Sequence, residues 1–280
     1  MIASELSYVG WVTRDPWSLH ARFERLGFRL TPWASHVGSV LPGSPPVPFG
    51  TANRCAMLRQ GYLEMVGVAD PSRPLGGLER YLDRYEGLHV VSLAMDDAEA
   101  NLARLQRAGV PMPGLTPLER PFSDADADGP RARFTRLPLP EAPEGRVQLI
   151  QHHTPELQWR ECFLDHPNRA TALEAAILVV ENPASSAARL SRFAGRPVVP
   201  DPLGGFALPL PGGVVRILPP EALAAVLPGV SAPALPCIAA AIVRVDDQGQ
   251  AARALLGAEA REMPGGILAE AGGGWVLFTW

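Results

Sequence analysis

The sequence contains no lysine: its 25 basic residues are all arginine, set against 29 acidic residues, for a net charge of −4. No run of basic residues occurs, so neither nucleic acid nor an anionic membrane is indicated as a partner. The three cysteines, Cys55, Cys162 and Cys237, are far apart and form no CxxC pair. Such isolated thiols are typical of reduced cysteines in a cytosolic protein.

Long hydrophobic segments are absent as well. The longest apolar runs, such as Ala175 to Val180, are the length of a strand and too short to cross a bilayer. The first residues, MIASELSYVGWVTRDP, lack the basic and apolar regions of a signal peptide. We therefore expect a cytoplasmic protein that does not bind membranes. The GxSxG and HExxH motifs of serine hydrolases and zinc proteases are also missing.

The chain does contain a fourfold internal repeat, the pattern of a fold built from similar units. Each unit opens with a short apolar run, passes an acidic or Asn turn, and continues in a helical pattern. The runs begin at Ser7, His89, Ala175 and Ile238, and the turns are Asp15, Asp96–Asp97, Asn182 and Asp246–Asp247.

The local chemistry of each unit is consistent with a strand followed by a helix. Asp or Asn before a helix accepts a hydrogen bond from its free N–H groups, and Pro16 and Pro183 suit the first helical turn. Strand-like stretches follow, and the last of them opens with a glycine: Gly61, Gly145, Gly213 and Gly274. The sequence predicts an α+β fold of four such units.

A charged, proline-containing stretch from Pro155 to Ala170 separates the first pair of units from the second. We predict an N-terminal domain at residues 1–158 that carries the site. A structural domain is predicted at residues 170–280.

Four short motifs add a family resemblance: Gly50–Asn53, Gly61–Glu64, His152–Glu156 and His166–Asn168. With the repeated unit, they resemble the glyoxalase-like domain proteins of the vicinal oxygen chelate superfamily, which includes glyoxalases, extradiol dioxygenases and metal-free resistance proteins. The resemblance implies four βαβββ modules paired into two cup-shaped halves. Since one fold hosts many functions, the chemistry has to be argued from the site.

In that superfamily the metal ligands come from the first and last strands of each module. The first ligand position of each module lies seven residues before its acidic or Asn turn. The second lies three residues after its glycine. The pairs are Tyr8 and Glu64, His89 and Gln148, Ala175 and Arg216, and Ala239 and Leu277. Only the first two modules offer a set of coordinating side chains, so the resemblance places the site in the N-terminal half.

One hypothesis is a metalloenzyme acting on a small oxygenated molecule. His89, Glu64 and Gln148 would hold one divalent metal, Zn, Fe, Mn or Ni. Glu64 or Tyr8 would then exchange a proton beside a carbonyl, as in a lyase or isomerase, whereas Fe²⁺ would permit ring-cleaving oxygenation. Tyr8 stands where the family usually has His, and a neutral phenol is a poor ligand.

The other hypothesis is a metal-free protein that binds or sequesters a small molecule, with Trp11, Trp33 and Tyr62 as wall residues. In either case we expect His36, Asn53, Trp11 and Gln148 to contact the ligand, His36 from a loop that can cover the cup. A turn-forming role for Asn53 and an exposed position for His36 are the simpler alternatives. We expect a monomer or a homodimer.

Overall fold

The computed structural model describes residues 2–38, 45–126 and 128–280. These residues form an α+β fold of two eight-stranded sheets, one built from each half of the sequence. No helix among these residues is long and apolar enough to cross a membrane.

The N-terminal sheet contains β1 (Leu6–Thr13), β2 (Ala34–Gly38), β3 (Val47–Met57), β4 (Tyr62–Val68), β5 (Gly87–Ala94), β6 (Thr116–Pro121), β7 (Arg131–Pro138) and β8 (Arg146–His152). Its helices are α1 (Pro16–Arg25), α2 (Glu79–Leu82) and α3 (Ala98–Arg107). Two short helices, α4 (Pro155–Gln158) and α5 (Glu161–Leu164), lead to the second sheet.

The C-terminal sheet contains β9 (Ala170–Val179), β10 (Val199–Pro200), β11 (Phe206–Pro209), β12 (Val214–Leu218), β13 (Cys237–Val245), β14 (Arg261–Met263), β15 (Gly266–Ala271) and β16 (Gly274–Thr279). Its helices are α6 (Pro183–Ala194), α7 (Pro220–Val226) and α8 (Gln250–Leu256).

Strand order confirms the four predicted βαβββ modules. The sheets read β2-β3-β4-β1-β5-β8-β7-β6 and β10-β11-β12-β9-β13-β16-β15-β14. In every module the last strand runs parallel to the first, and the two first strands of a sheet pair antiparallel at its centre. Two modules therefore share one curved sheet, and the two sheets are the two cup-shaped halves. The assignment of residues 1–158 and 170–280 to two domains remains our proposal.

The turn residues cap the helices as the sequence predicts. The side chains of Asp15, Asp97 and Asn182 accept hydrogen bonds from the backbone N–H groups three residues on, at 3.1, 2.9 and 3.0 Å. In the fourth module Asp247 accepts from the N–H groups of Gly249 and Ala251 instead. In the second module the cap is thus Asp97, not Asp96, and this one-residue difference changes the site.

Strand parity separates the core from the cups, because successive side chains point to opposite faces of a sheet. The largest hydrophobic cluster contains residues of both sheets and the apolar stripe of α1, including Trp11, Leu63 and Phe23. A smaller cluster lies in each cup, with Tyr8 and Tyr62 in the N-terminal one. The site residues therefore come from alternate positions of strands whose other residues form the core.

Candidate functional site

A cavity opens in the concave face of the N-terminal sheet. Its volume is ≈ 120 Å³. Strands β1 to β4 and β6 to β8 line it, together with residues before α2 and Gln158. The polar lining residues are Tyr8, His36, Thr51, Asn53, Tyr62, Glu64, Glu119, Arg120, Arg136, Arg146 and Gln158.

Glu64 reaches the cavity from β4 and is oriented by its neighbour on β3. The Asn53 amide donates a hydrogen bond to Glu64 Oε1 at 2.6 Å, while Oε2 receives none from the described residues. Gly10 lies opposite Glu64 on β1. A Cβ at Gly10 would stand 3.4 Å from Glu64 Oε2 and 2.9 Å from the Cβ of Val90. The missing side chain thus leaves room for the carboxylate.

The electrostatic environment of Glu64 is set by opposing effects. Burial raises the pKa of its carboxyl above the ordinary value of 4.5. The Asn53 hydrogen bond and the charges of Arg120, Arg146 and Arg136 lower that pKa. Burial has the larger effect, so Glu64 takes up a proton more readily than an exposed glutamate does.

Tyr8 lies beside Glu64, with its ring stacked on Tyr62 at a centroid distance of 4.5 Å. The Gln148 amide donates a hydrogen bond to the Tyr8 hydroxyl at 2.6 Å. Burial and the nearby Glu64 raise the pKa of Tyr8 above 10.0. Tyr8 is therefore a neutral phenol whose own proton remains available for donation.

His36 lies on β2 and not in a loop, so its position in the cavity wall is fixed by the sheet. Its Nδ1 hydrogen-bonds with the Thr51 hydroxyl at 2.9 Å. Burial and the three arginines lower the pKa of His36 to about 3. The imidazole is neutral at pH 7 and contributes a hydrogen-bonding group to the wall.

The sequence profile of the glyoxalase-like domain family matches residues 8–194 of this chain. The protein belongs to that family. Its region of match runs from β1 through α6 and includes every residue that lines the cavity. No functionally curated protein matches the chain in sequence.

Solved structures at 14% identity share the fold of this glyoxalase-like chain. A hypothetical protein from Staphylococcus aureus is 14% identical with a TM-score of 0.65, covering 99% of both chains. A mutant 4-hydroxymandelate synthase from Streptomyces coelicolor is 14% identical with a TM-score of 0.58, covering 99% of this chain and 92% of its own. An Mn(II)-bound glyoxalase from Novosphingobium aromaticivorans is 14% identical with a TM-score of 0.55, covering 99% and 82%.

Three arginines that were not predicted from the sequence give the cavity of this glyoxalase-like protein its positive charge. Arg120, Arg136 and Arg146 extend into it from β6, β7 and β8. Strand parity could have predicted Arg146, because it is two residues before Gln148 and its side chain points to the same face of β8. Nothing in the sequence marked Arg136, since β7 has no motif to fix its register.

His89, predicted as the main metal ligand, does not line the cavity. The helix cap is Asp97, so counting back seven residues gives Val90. A β-bulge also leaves His89 out of register, because Gly10 pairs with Val90 and Trp11 with Leu88. The imidazole stacks on Tyr85 at 3.9 Å and hydrogen-bonds with the Tyr85 carbonyl. Burial lowers the pKa of His89 to about 4.

Three other predicted residues also take different places. Trp11 is fully buried in the core against Phe23, because it is three residues from Tyr8 and faces the opposite side of β1. Trp33 stacks on Trp17, away from the cavity. Gln148 lines an adjacent groove and touches the site through Tyr8. Tyr8, His36, Asn53, Tyr62 and Glu64 are the predicted residues that the fold brings together.

These residues do not form a good site for a divalent metal. Across residues 2–38, 45–126 and 128–280, no three His, Cys, Asp or Glu side chains are arranged to hold an ion. Glu64 can supply an anionic oxygen ligand, but the Tyr8 phenol is neutral. Val90 occupies the first-strand position of the second module, where an imidazole would be needed. Three arginines add a positive potential that opposes a cation.

Proposed function

We propose that this protein is a lyase or isomerase of the vicinal oxygen chelate type that acts on a small carbonyl compound without a metal. Glu64 would move a proton at the carbon beside the carbonyl. The observation that carries the proposal is the orientation of Glu64: Asn53 fixes Oε1, and Oε2 is left for the ligand. A positioned group of this kind is what general base catalysis requires.

The proposed step transfers one proton. The substrate C–H bond breaks, its proton forms an O–H bond to Glu64, and the electron pair passes into the carbonyl to give an enolate. The neutral Tyr8 hydroxyl would donate a hydrogen bond to the enolate oxygen, whose charge the arginines also stabilise. Return of the proton to a different carbon gives an isomerase, and loss of a leaving group gives a lyase.

The environment of Glu64 suits this role. A base works best when its pKa lies near the working pH, and burial raises the pKa of Glu64 in that direction. His36 and Asn53 would orient the substrate, and Tyr62 with Phe134 would bind its apolar part. All four residues line the cavity.

The test is solvent deuterium exchange followed by ¹H NMR, with 2-oxobutyrate, levulinate, 2-butanone and dihydroxyacetone as probes. We expect at least one probe to exchange faster than in buffer. Glu64→Gln should slow that exchange by roughly 10² to 10⁴-fold. The control is Glu161→Gln, whose side chain is 83% exposed in α5 and should have no effect. Absence of enzyme-dependent exchange for all four probes, or equal rates with Glu64→Gln, would contradict the proposal.

The alternative function is a metal-free protein that binds a small molecule without converting it. The apolar part of the cavity favours it, since Phe49, Leu75, Leu118, Phe134 and Ile150 line the walls. One experiment distinguishes the enzyme from the binding protein. Saturable calorimetric binding of a probe whose protons do not exchange would select the binding protein.

A further inference from the structure

We infer that Arg136 and Arg146 form a clamp for a carboxylate group, so that the ligand of this cavity is a small organic acid. The inference deepens the proposed function and rests on the same cavity. It concerns how the ligand is recognised, whether or not the ligand then reacts.

The first support is that, among the described residues, neither arginine has a carboxylate partner. Arg136 on β7 and Arg146 on β8 both extend into the cavity from neighbouring strands. Within the described part of the chain, no carboxylate lies within 4.0 Å of either guanidinium, and Arg136 Nε is buried without a hydrogen bond. Arg146 rests on the Tyr81 ring at 5.4 Å, which positions its charge without neutralising it.

The second support is that other partly buried arginines have hydrogen-bond partners within the chain. Arg216 of the C-terminal sheet donates to both oxygens of Asp201, at 2.8 and 2.6 Å. Arg189 of α6 pairs with the fully buried Glu144. Leaving a charge unpaired in a low-dielectric site is costly. Arg104 and Arg196 donate to backbone carbonyl groups, whereas Arg136 and Arg146 donate no side-chain hydrogen bond within the described residues.

The third support is the charge balance of the cavity. Its wall carries three arginines, Arg120, Arg136 and Arg146, and two glutamates. Glu119 is paired with Arg131 outside the cavity, which leaves Glu64 as the opposing charge. Burial and the neighbouring Arg146 lower the pKa of Arg136 to about 10. An anion bound between the guanidinium groups would relieve this repulsion.

The lining of the site favours the carboxylate of a small organic acid over inorganic phosphate. Guanidinium groups bind carboxylates and phosphates alike through charge-assisted hydrogen bonds. Phosphates are typically held by a glycine-rich loop at the start of a long helix, whereas strands form most of this wall. The apolar side chains around the arginines suit the carbon skeleton of a small acid.

The experiment is titration calorimetry with three acids, 2-oxobutyrate, succinate and benzoate, and their neutral counterparts 2-butanone, succinamide and benzamide. We expect at least one acid to bind and its counterpart to bind at least ten-fold more weakly. Arg136→Gln and Arg146→Gln should each weaken the acid roughly 10- to 100-fold. The control is Arg133→Gln, an exposed arginine on the opposite face of β7, which should bind the acid like the wild type.

Three results would overturn the clamp: no acid binding, equal binding of an acid and its neutral counterpart, or undiminished binding by both arginine variants. Inorganic phosphate is titrated in parallel, and binding of phosphate without any acid would also reject the carboxylate. The comparison of acids with neutral molecules uses wild-type protein, so it stands even if a variant fails to fold. If 2-oxobutyrate binds through the arginines but neither it nor the other exchange probes take up deuterium, the proposed function fails and the clamp stands.

Discussion

The contrast between a buried and an exposed arginine–aspartate pair predicts a large stability difference between two similar substitutions. Asp201→Asn removes the charge that faces Arg216 in the C-terminal sheet, where the two side chains are 2% and 18% exposed. Breaking a buried pair on one side costs about 3–5 kcal/mol. Because Arg216 keeps some contact with solvent, we expect a loss of about 2–4 kcal/mol in the free energy of unfolding.

The matched control is Asp246→Asn, which removes a carboxylate from the pair with Arg169. Both side chains there are about half exposed, at 49% and 50%, and such pairs contribute about 0–1 kcal/mol. Urea denaturation at pH 7 measures both losses. Equal losses for the two variants would refute the claim that Asp201 stabilises the fold by neutralising the partly buried Arg216.

The same ion pair gives a pH dependence with a definite sign. The hydrogen bonds from Arg216 hold the pKa of Asp201 below the ordinary value of 3.8. Its stabilising contribution is therefore fully present above that value and is lost as the pH falls through the lower folded-state pKa. The stability difference between wild type and Asp201→Asn should shrink in acid.

Three further predictions concern the cavity. Gly10→Ala places a Cβ 2.9 Å from the Cβ of Val90 and should cost about 1–3 kcal/mol in thermal or urea unfolding; combined with Val90→Gly, which removes that Cβ, it should cost less than the sum of the two single losses, and strictly additive losses would contradict the packing. Tyr8→Phe leaves a buried Gln148 donor without its acceptor and should cost about 1–3 kcal/mol in urea unfolding. For Glu64 the folded-state pKa is raised, so wild-type stability relative to Glu64→Gln should fall as the pH rises from 4.5 through the folded-state pKa; a difference that stays constant with pH would exclude the shift.

The sequence predicts the fold well because each module repeats the same local chemistry. Asp15, Asp97 and Asn182 cap helices through their own side chains, and the glycines before the last strands of three modules, Gly61, Gly145 and Gly213, have positive φ angles. These are local interactions between residues near in sequence, so a pattern of letters reveals them. Tyr8 and Glu64 follow from the same repeat and share the cavity face.

The site is predicted less completely because strand register magnifies small errors. Choosing Asp96 over Asp97 moves the counted position by one residue, which turns a side chain to the other face of the sheet. The bulge that displaces His89 recurs at Ala239 of β13, where Ile238 pairs with Leu178 and Ala240 with Ile177. A bulge is set by pairing between distant strands, so no local pattern marks it.

Deuterium exchange by protein stripped of divalent ions with a chelator tests whether Glu64 moves a proton without a metal. We expect stripped wild-type protein to exchange its best probe at the untreated rate, and Glu64→Gln not to do so. Exchange that disappears on stripping and returns with Mn²⁺ or Zn²⁺ would contradict this expectation and show that this cavity works through a metal.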